Sequence, residues 1–171
     1  MLFVAELSTG SKPVSEFLSD LASAIEGVGL IIESQVVADT AQLFTVVEAE
    51  DQAALDAKIR EAGFTLNDLA KVRLVGAELE QIKQLKPSGQ FLVEWDFPEG
   101  LTMDRYLARK KEKAPLYEGI EDVKFLRTYV REDMVKCLCF YDGDSEEAVL
   151  KAREVVDTPV SRIHKISGAE I

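Results

Sequence analysis

The first half of the chain alternates short apolar runs with two amphipathic segments. Apolar and β-branched runs predict β-strands at residues 2–7, 29–37, 42–48 and 70–75. Apolar side chains spaced three and four residues apart predict helices at residues 14–25 and 51–62, and Asp51 is a suitable N-cap for the second. The predicted element order is therefore βαββαβ.

The second half repeats this order. Strands are predicted at residues 90–97, 123–130, 134–141 and 162–166, with helices at 102–113 and 145–155. Thr102 is placed to cap the first of these helices. Asp144, with Glu147 three residues later, has the pattern of a capping box for the second.

The two halves also match residue by residue, which indicates a tandem repeat. Residues 3–7 align with 91–95, and the ending Gly-Ala-Glu-Leu at 76–79 recurs as Gly-Ala-Glu-Ile at 168–171. The offset grows from 88 residues (Glu6 to Glu94) to 94 (Asp39 to Asp133), so the extra residues fall around 114–121. We predict an α+β protein with ferredoxin-like repeats at 1–79 and 90–171, joined by a linker at 80–89.

One ferredoxin-like unit covers only one face of its sheet, so the other face must be buried elsewhere. Two units in one chain can cover each other, which predicts a pseudo-dimeric α/β barrel. Strand alternation then assigns each side chain of the second copy to a face. The apolar register, expected under the helices, comprises Val93, Trp95, Phe97, Leu126, Val130, Leu138 and Phe140. The mixed register, expected between the repeats, comprises Leu92, Glu94, Asp96, Phe125, Arg127, Tyr129, Cys137, Cys139 and Tyr141.

The mixed register suggests a ligand site. Glu94 and Arg127 would be its polar anchors, and the predicted set is completed by Tyr129, Cys139, Tyr141 and, from the first copy, Glu6. A buried Glu–Arg pair can equally be a satisfied structural network, so both interpretations remain open.

Composition narrows the class of partner. The chain has 31 acidic and 20 basic residues and a formal net charge of −11, which disfavours binding to nucleic acid or anionic membranes. The one basic run, residues 109–113, is interpreted as a solvated helix face. Without a signal peptide or a run of about 20 apolar residues, a cytoplasmic location is expected. Cys137 and Cys139 are then expected to be free thiols.

No catalytic or cofactor motif is present, and we expect no cofactor. His164 is the only histidine, so a metal site would need the cysteines or carboxylates to complete it. We therefore predict no metal site. The segment Asp142-Gly143-Asp144 lacks the spacing of a calcium loop and is interpreted as a turn with a helix cap.

Residues 91–102, 125–130, 136–141 and 145–149 together resemble a small bacterial family of unknown function that includes a nickel-responsive protein. The resemblance covers about residues 90–170, with matched positions Glu94, Thr102, Tyr129, Cys139 and Tyr141. It implies a ferredoxin-like fold with dimeric α/β-barrel architecture. Nickel binding is not carried over, because one histidine is too few for an imidazole-rich site.

Three functions remain open. The first is a binding or regulatory protein that holds a small molecule or metabolite between the repeats. The second is a cofactor-independent monooxygenase or isomerase, with Glu94 as base and Arg127 or Tyr129 stabilising an oxyanion. The third is a ligand-free interaction or assembly protein, in which homo-oligomers could form through sheet edges or helices.

Overall fold

The computed structural model describes residues 1–84 and 89–169, which form two compact units. The first unit takes residues 1–72, 78–84 and 166–169, and the second takes 73–77 and 89–165. Within these ranges, no helix has the length and apolar character needed to cross a membrane.

The first unit is an antiparallel sheet with two helices against one face. Its strand order is β4-β1-β3-β2. The elements are β1 (Leu2–Ser8), α1 (Val14–Ala24), β2 (Gly29–Val37), β3 (Gln42–Ala49), α2 (Gln52–Glu61) and β4 (Thr65–Val75). The helices pack on a core centred on Phe3, Leu21 and Leu55. A short helix α3 (Leu79–Gln84) occupies the start of the predicted linker; residues 85–88 of that linker lie outside the described part of the chain.

The second unit repeats this arrangement with strand order β8-β5-β7-β6. Its elements are β5 (Phe91–Asp96), α4 (Met103–Lys113), a 3₁₀ helix (Ala114–Gly119), β6 (Val123–Arg131), β7 (Lys136–Gly143), α5 (Glu146–Val155) and β8 (Arg162–Gly168). The 3₁₀ helix lies where the growing repeat offset placed the extra residues, so that prediction is confirmed. The predicted repeat ending extends to Glu170 and Ile171, which lie outside the described residues.

Strand β8 contributes to both units. Its first part pairs with β5, with Arg162 opposite Glu94 and His164 opposite Leu92. Its last residues belong to the first unit, where residues 166–168 pair with residues 35–37 of β2.

Helix capping agrees with the sequence at two of three sites. The Asp51 and Thr102 side chains accept hydrogen bonds from Ala53 N and Arg105 N, as expected. The prediction that Asp144 caps α5 is wrong, because Ser145 accepts the hydrogen bond from Ala148 N at 3.1 Å. The helix therefore begins one residue later than the capping-box pattern indicated.

Candidate functional site

The predicted division of side chains between the two sheet faces is wrong for β7. Cys137 and Cys139 lie directly opposite Trp95 and Val93 and share the core beneath the helices, as does Tyr141. Leu138 lies opposite Glu94, so the sheet face turned away from the helices carries Glu94 together with Leu138. The structure therefore separates Cys139 and Tyr141 from Glu94, Arg127 and Tyr129, the residues with which the sequence grouped them.

A β-bulge in β6 moves a further side chain. The pairing of β6 with β7 runs from Phe125 opposite Tyr141 to Arg127 opposite Phe140, so one residue is added between the two pairs. Phe125 consequently packs on the helix side, and Arg127 lies on the other face, with its guanidinium 4.5 Å from the Phe140 ring centroid.

Glu94 is the centre of a charged network on the face away from the helices. Its Oε1 lies 2.6 Å from Lys136 Nζ, and its Oε2 lies 2.8 Å from both Arg162 Nε and His164 Nε2. Arg162 also forms a bidentate salt bridge with Asp96, in which Nη1 donates to Oδ2 at 2.8 Å and Nη2 donates to Oδ1 at 2.6 Å. The Glu94 side chain is only 3% exposed, so its charge is buried and fully paired, with Lys136, Arg162 and His164 rather than with Arg127.

This network keeps Glu94 ionised. Burial acts to raise its pKa, but hydrogen bonds from His164, Arg162 and Lys136 outweigh burial and lower the pKa from 4.5 to about 2. An ionised carboxylate only accepts hydrogen bonds, so the His164 nitrogen facing it carries the proton. A carboxyl group with this pKa is a poor general base near neutral pH, which counts against the catalytic role considered for Glu94.

The remaining two residues of the predicted site, Tyr129 and Glu6, also lie on strands. Tyr129 is fully buried opposite Leu138, with its ring edge-on to Phe140 at 5.7 Å between centroids. In the first unit, Glu6 lies on β1 opposite Phe44 and is half-buried, on the face turned away from α1 and α2.

A second group of polar side chains lies on the helix side of the second unit, around a cavity of about 20 Å³. That volume is enough for roughly one water molecule. We call it the basic cavity, because none of the described residues that line it is acidic. Its lining comprises Trp95, Tyr106, Arg109, Lys110, Lys113, Ala114, Tyr117, Phe125, Cys137, Cys139, Arg153 and Thr158.

Helix α4 supplies the cations. Tyr106, Lys110 and Lys113 recur at helical spacing and all line the cavity, whereas Lys111 and Glu112 are exposed. Lys110 Nζ lies 4.1 Å from the Phe125 ring centroid and donates to Thr128 Oγ1 at 2.8 Å. The interpretation of residues 109–113 as a solvated face is therefore wrong for the positions that face the sheet.

The two thiols are held in this environment. Cys139 Sγ lies 3.7 Å from Cys137 Sγ, 3.3 Å from Thr128 Oγ1 and 3.8 Å from Lys110 Nζ. The hydrogen bond from Cys137, with the charges of Lys110 and Arg153, holds the pKa of Cys139 well below its usual range. Burial raises the pKa of Cys137, which remains a thiol and donates to its neighbour.

Arg153 of α5 is a buried cation, only 2% exposed. Its Nη1 donates to Tyr141 Oη at 3.0 Å and its Nη2 to the Pro159 carbonyl oxygen, and Tyr141 Oη in turn contacts Tyr117 Oη at 2.8 Å. Burial opposes its charge, but Cys139 and Tyr141 outweigh that effect and the Arg153 pKa is raised. The guanidinium is therefore charged in a part of the core that contains no carboxylate among the described residues.

Three polar atoms around the basic cavity have no hydrogen-bond partner within the described part of the chain. They are Arg153 Nε, Arg109 Nε and Tyr106 Oη, the last of which has Cys137 as a neighbour. Tyr106, like Arg153, is 2% exposed. Buried polar groups are normally paired, so these atoms indicate room for a small polar guest.

No three His, Cys, Asp or Glu side chains in the described ranges are grouped closely enough to hold a metal ion. His164 is hydrogen-bonded to Glu94, and the two cysteines have Thr128, Lys110 and each other as neighbours. The described residues therefore do not fit a nickel centre.

Three solved structures resemble the chain in fold. A protein from Lactobacillus acidophilus NCFM proposed to be a monooxygenase is 9% identical, with a TM-score of 0.52 over 98% of this chain and 92% of its own. A proposed chlorite dismutase is 11% identical, with a TM-score of 0.58 over 99% and 95%. An anthrone oxidase-like protein is 10% identical, with a TM-score of 0.52 over 99% and 91%. The predicted α+β class of tandem ferredoxin-like repeats is thereby confirmed.

Within that class, residues 91–166 match the model of the SCO4226-like family of nickel-responsive proteins. The resemblance noted for the second half is confirmed by this match. The curated proteins contain no sequence match to the chain.

Proposed function

We propose that this chain is a small-molecule binding or regulatory protein whose ligand places an anionic group in the basic cavity of the second unit. The observation that carries the proposal is Arg153, a buried guanidinium without an acidic neighbour in the cavity and with an unpartnered Nε. Buried charges are normally compensated, and the Cys139 thiolate alone balances fewer charges than Lys110 and Arg153 supply. The aromatic rings of Tyr117 and Phe125 would contact the body of the ligand.

This proposal moves the site from the one predicted. Cys139 and Tyr141 remain part of it, since Cys139 lines the cavity and Tyr141 orients Arg153. Glu94 is assigned a structural role, because its carboxylate oxygens are already occupied by Lys136, Arg162 and His164.

Benzoate is a suitable probe, because its carboxylate is the only part that has to enter the cavity. Its aromatic ring would stay outside, against the half-buried side chains of Tyr117 and Phe125. We expect two-dimensional NMR titration to show saturable benzoate binding with shifts at α4 and α5, while benzyl alcohol gives none. Lys110→Gln should weaken binding roughly tenfold, the loss of one charge-assisted hydrogen bond. The matched control is Lys111→Gln, which removes an exposed lysine from the same helix. Equal binding of benzyl alcohol, or unchanged benzoate binding by Lys110→Gln, would contradict the proposal.

The cofactor-independent oxygenase remains the second candidate, supported by the fold shared with a proposed monooxygenase and an anthrone oxidase-like protein. Fold likeness is a weak warrant for activity. The low pKa of Glu94 requires another group as base. Oxygen uptake with an anthrone such as dithranol, measured against the heat-denatured chain, distinguishes this candidate from a binding protein. The third candidate, a ligand-free assembly protein, does not account for the unpartnered Arg153 and Tyr106 atoms.

A further inference from the structure

The two cysteines of β7 are the nucleophilic groups of the basic cavity, and ligand binding does not require them. Cys139 Sγ accepts a hydrogen bond from Thr128 Oγ1 at 3.3 Å, and Thr128 in turn accepts one from Lys110 at 2.8 Å. Both sulfurs line the cavity. A thiolate held by donors and adjoining a space open to a water-sized molecule has the features of a reactive cysteine.

We propose that Cys139 is a redox modification site, which small hydroperoxides such as hydrogen peroxide oxidise to a sulfenic acid. This goes beyond the proposed function: it uses the same cavity but requires no bound metabolite. Since burial in an apolar environment normally makes a cysteine inert, the cations and the Thr128 donor are the features that set Cys139 apart.

The size of the cavity selects the oxidant. A cavity of about 20 Å³ holds roughly one water molecule, and hydrogen peroxide, with two heavy atoms, is the oxidant closest to that size, whereas aromatic disulfides and large alkylating reagents need far more space. Hydrogen peroxide therefore reaches Cys139 without displacing α4, and larger thiol reagents do not.

The reaction balances with the groups present. The Cys139 thiolate attacks one peroxide oxygen, an S–O bond forms and the O–O bond breaks. The leaving hydroxide takes a proton from the Lys110 ammonium, whose Nζ is 3.8 Å from the sulfur, and solvent returns that proton to Lys110. The products are Cys139 sulfenic acid and water, with two electrons passing from sulfur to peroxide.

The product is expected to remain a sulfenic acid. The two sulfurs are 3.7 Å apart on alternate residues of one extended strand, and a bond of about 2.05 Å between them would require distortion of β7. When the cavity opens locally, a small cellular thiol can restore the cysteine in two steps: it attacks the sulfenic sulfur and releases water, and a second thiol then reduces the mixed disulfide.

The thiolate should persist to lower pH than that of an ordinary cysteine, because the groups facing it are mostly donors or cations. They come from each element packed around it: Cys137 and Tyr141 of β7, Thr128 of β6, Tyr106 and Lys110 of α4, Tyr117 of the 3₁₀ helix and Arg153 of α5. An ordinary cysteine is only roughly 1% ionised at pH 6.5. From pH 8 to 6 the oxidation rate of the folded chain should therefore fall less steeply than that of the urea-unfolded chain, which falls about tenfold per pH unit.

The test is competitive trapping on the full chain. Folded and urea-unfolded protein are treated at pH 6.5 with hydrogen peroxide for timed intervals, and catalase then removes the peroxide. All samples are next unfolded in urea containing dimedone, which traps the sulfenic acid, and labelled peptides are quantified by mass spectrometry. We expect Cys139 in the folded chain to be labelled on the order of tenfold faster than in the unfolded chain, with Cys137 unlabelled. Slower labelling of folded Cys139, or preferential labelling of Cys137, would overturn the proposal.

Two variants of α4 provide the second measurement, with circular dichroism to verify that each is folded. Lys110→Gln should slow Cys139 oxidation several-fold and make its rate fall more steeply with decreasing pH, whereas the exposed Lys111→Gln should behave as the parent. An unchanged pH profile in Lys110→Gln would refute the role of the cation. Benzoate binding is read separately by NMR, so failure of the proposed function and failure of this inference are distinguishable.

Discussion

Glu94→Gln is expected to lower the free energy of unfolding by about 3 kcal/mol, the loss reported when one member of a buried ion pair is removed. Glutamine keeps the size of the side chain but removes the carboxylate that lies 2.6 Å from the Lys136 ammonium, whose side chain is 11% exposed. Urea unfolding measured by circular dichroism gives the value directly. The control is Asp96→Asn, which removes the exposed partner of Arg162 and should cost less than 1 kcal/mol. Equal losses in the two variants would show that burial of Glu94 has no energetic consequence.

The same network predicts that the free energy of unfolding decreases in acid. The pKa of Glu94 is about 2 in the folded chain against an ordinary value of 4.5, so this group favours folding above about pH 4.5. That contribution, roughly 3 kcal/mol, is lost as the pH falls from 4.5 towards 2. In Glu94→Gln the decline between these pH values should be correspondingly shallower. Benzoate binding at pH 7 should be unchanged in this variant if the ligand site is the basic cavity.

Gly76→Ala is expected to lower the free energy of unfolding by about 2–4 kcal/mol, the second large effect. Two penalties add up: a strained backbone conformation and a steric clash. Gly76 has φ +88°, a left-handed conformation that costs an alanine about 1–2 kcal/mol. An added Cβ would also lie 2.8 Å from Cε1 of Phe125, which must then shift. Gly63→Ala is the matched control, with φ +87° and open space around the new methyl group. The difference between the two unfolding free energies isolates the Phe125 contact, and a difference near zero would mean that Phe125 moves freely.

The element order, the repeat and the longer connection after α4 could be predicted from the sequence, because hydrophobic periodicity and residue alignment report them directly. Strand alternation also assigned Val93, Trp95 and Val130 correctly to the helix side, but it failed for β7 and for Phe125 of β6. In β2 the pairing with β3 shifts between Ile31 and Glu33, and in β6 the pairing with β7 shifts between Phe125 and Arg127. These two bulges lie 94 residues apart, the same offset as the hairpins. Strict alternation assumes a regular ladder, so it assigned Phe125 to the wrong face.

The error for β7 has a different origin. The strand is buried on both faces, so both sets of alternating side chains are largely apolar. Leu138 and Phe140 are apolar enough to lie under helices, and Cys137 and Cys139 are not polar enough to show which face they occupy. The cysteines were placed on the same face as the polar residue Glu94. The partners of Glu94 are instead Lys136 and residues of β8, and alternation within a single strand cannot predict partners on other strands.

The basic cavity was missed because lysine on a helix is normally solvated. A signal was nevertheless present in α4, where Met103, Tyr106 and Leu107 form an apolar stripe that Lys110 and Lys113 continue with cations. Lysines that continue the apolar stripe of a helix predicted to pack on a sheet indicate that these cations face inward.

The division of β8 between the units has a consequence for synthesis on the ribosome. Residues 166–168, which pair with β2 of the first unit, are translated only after residues 89–165 of the second. Until then β2 has an unpaired edge, and such edges can recruit strands from other nascent chains. The first unit is therefore expected to acquire its last strand partner only after the second has been made, and a truncated chain ending before β8 would retain an aggregation-prone edge at residues 35–37.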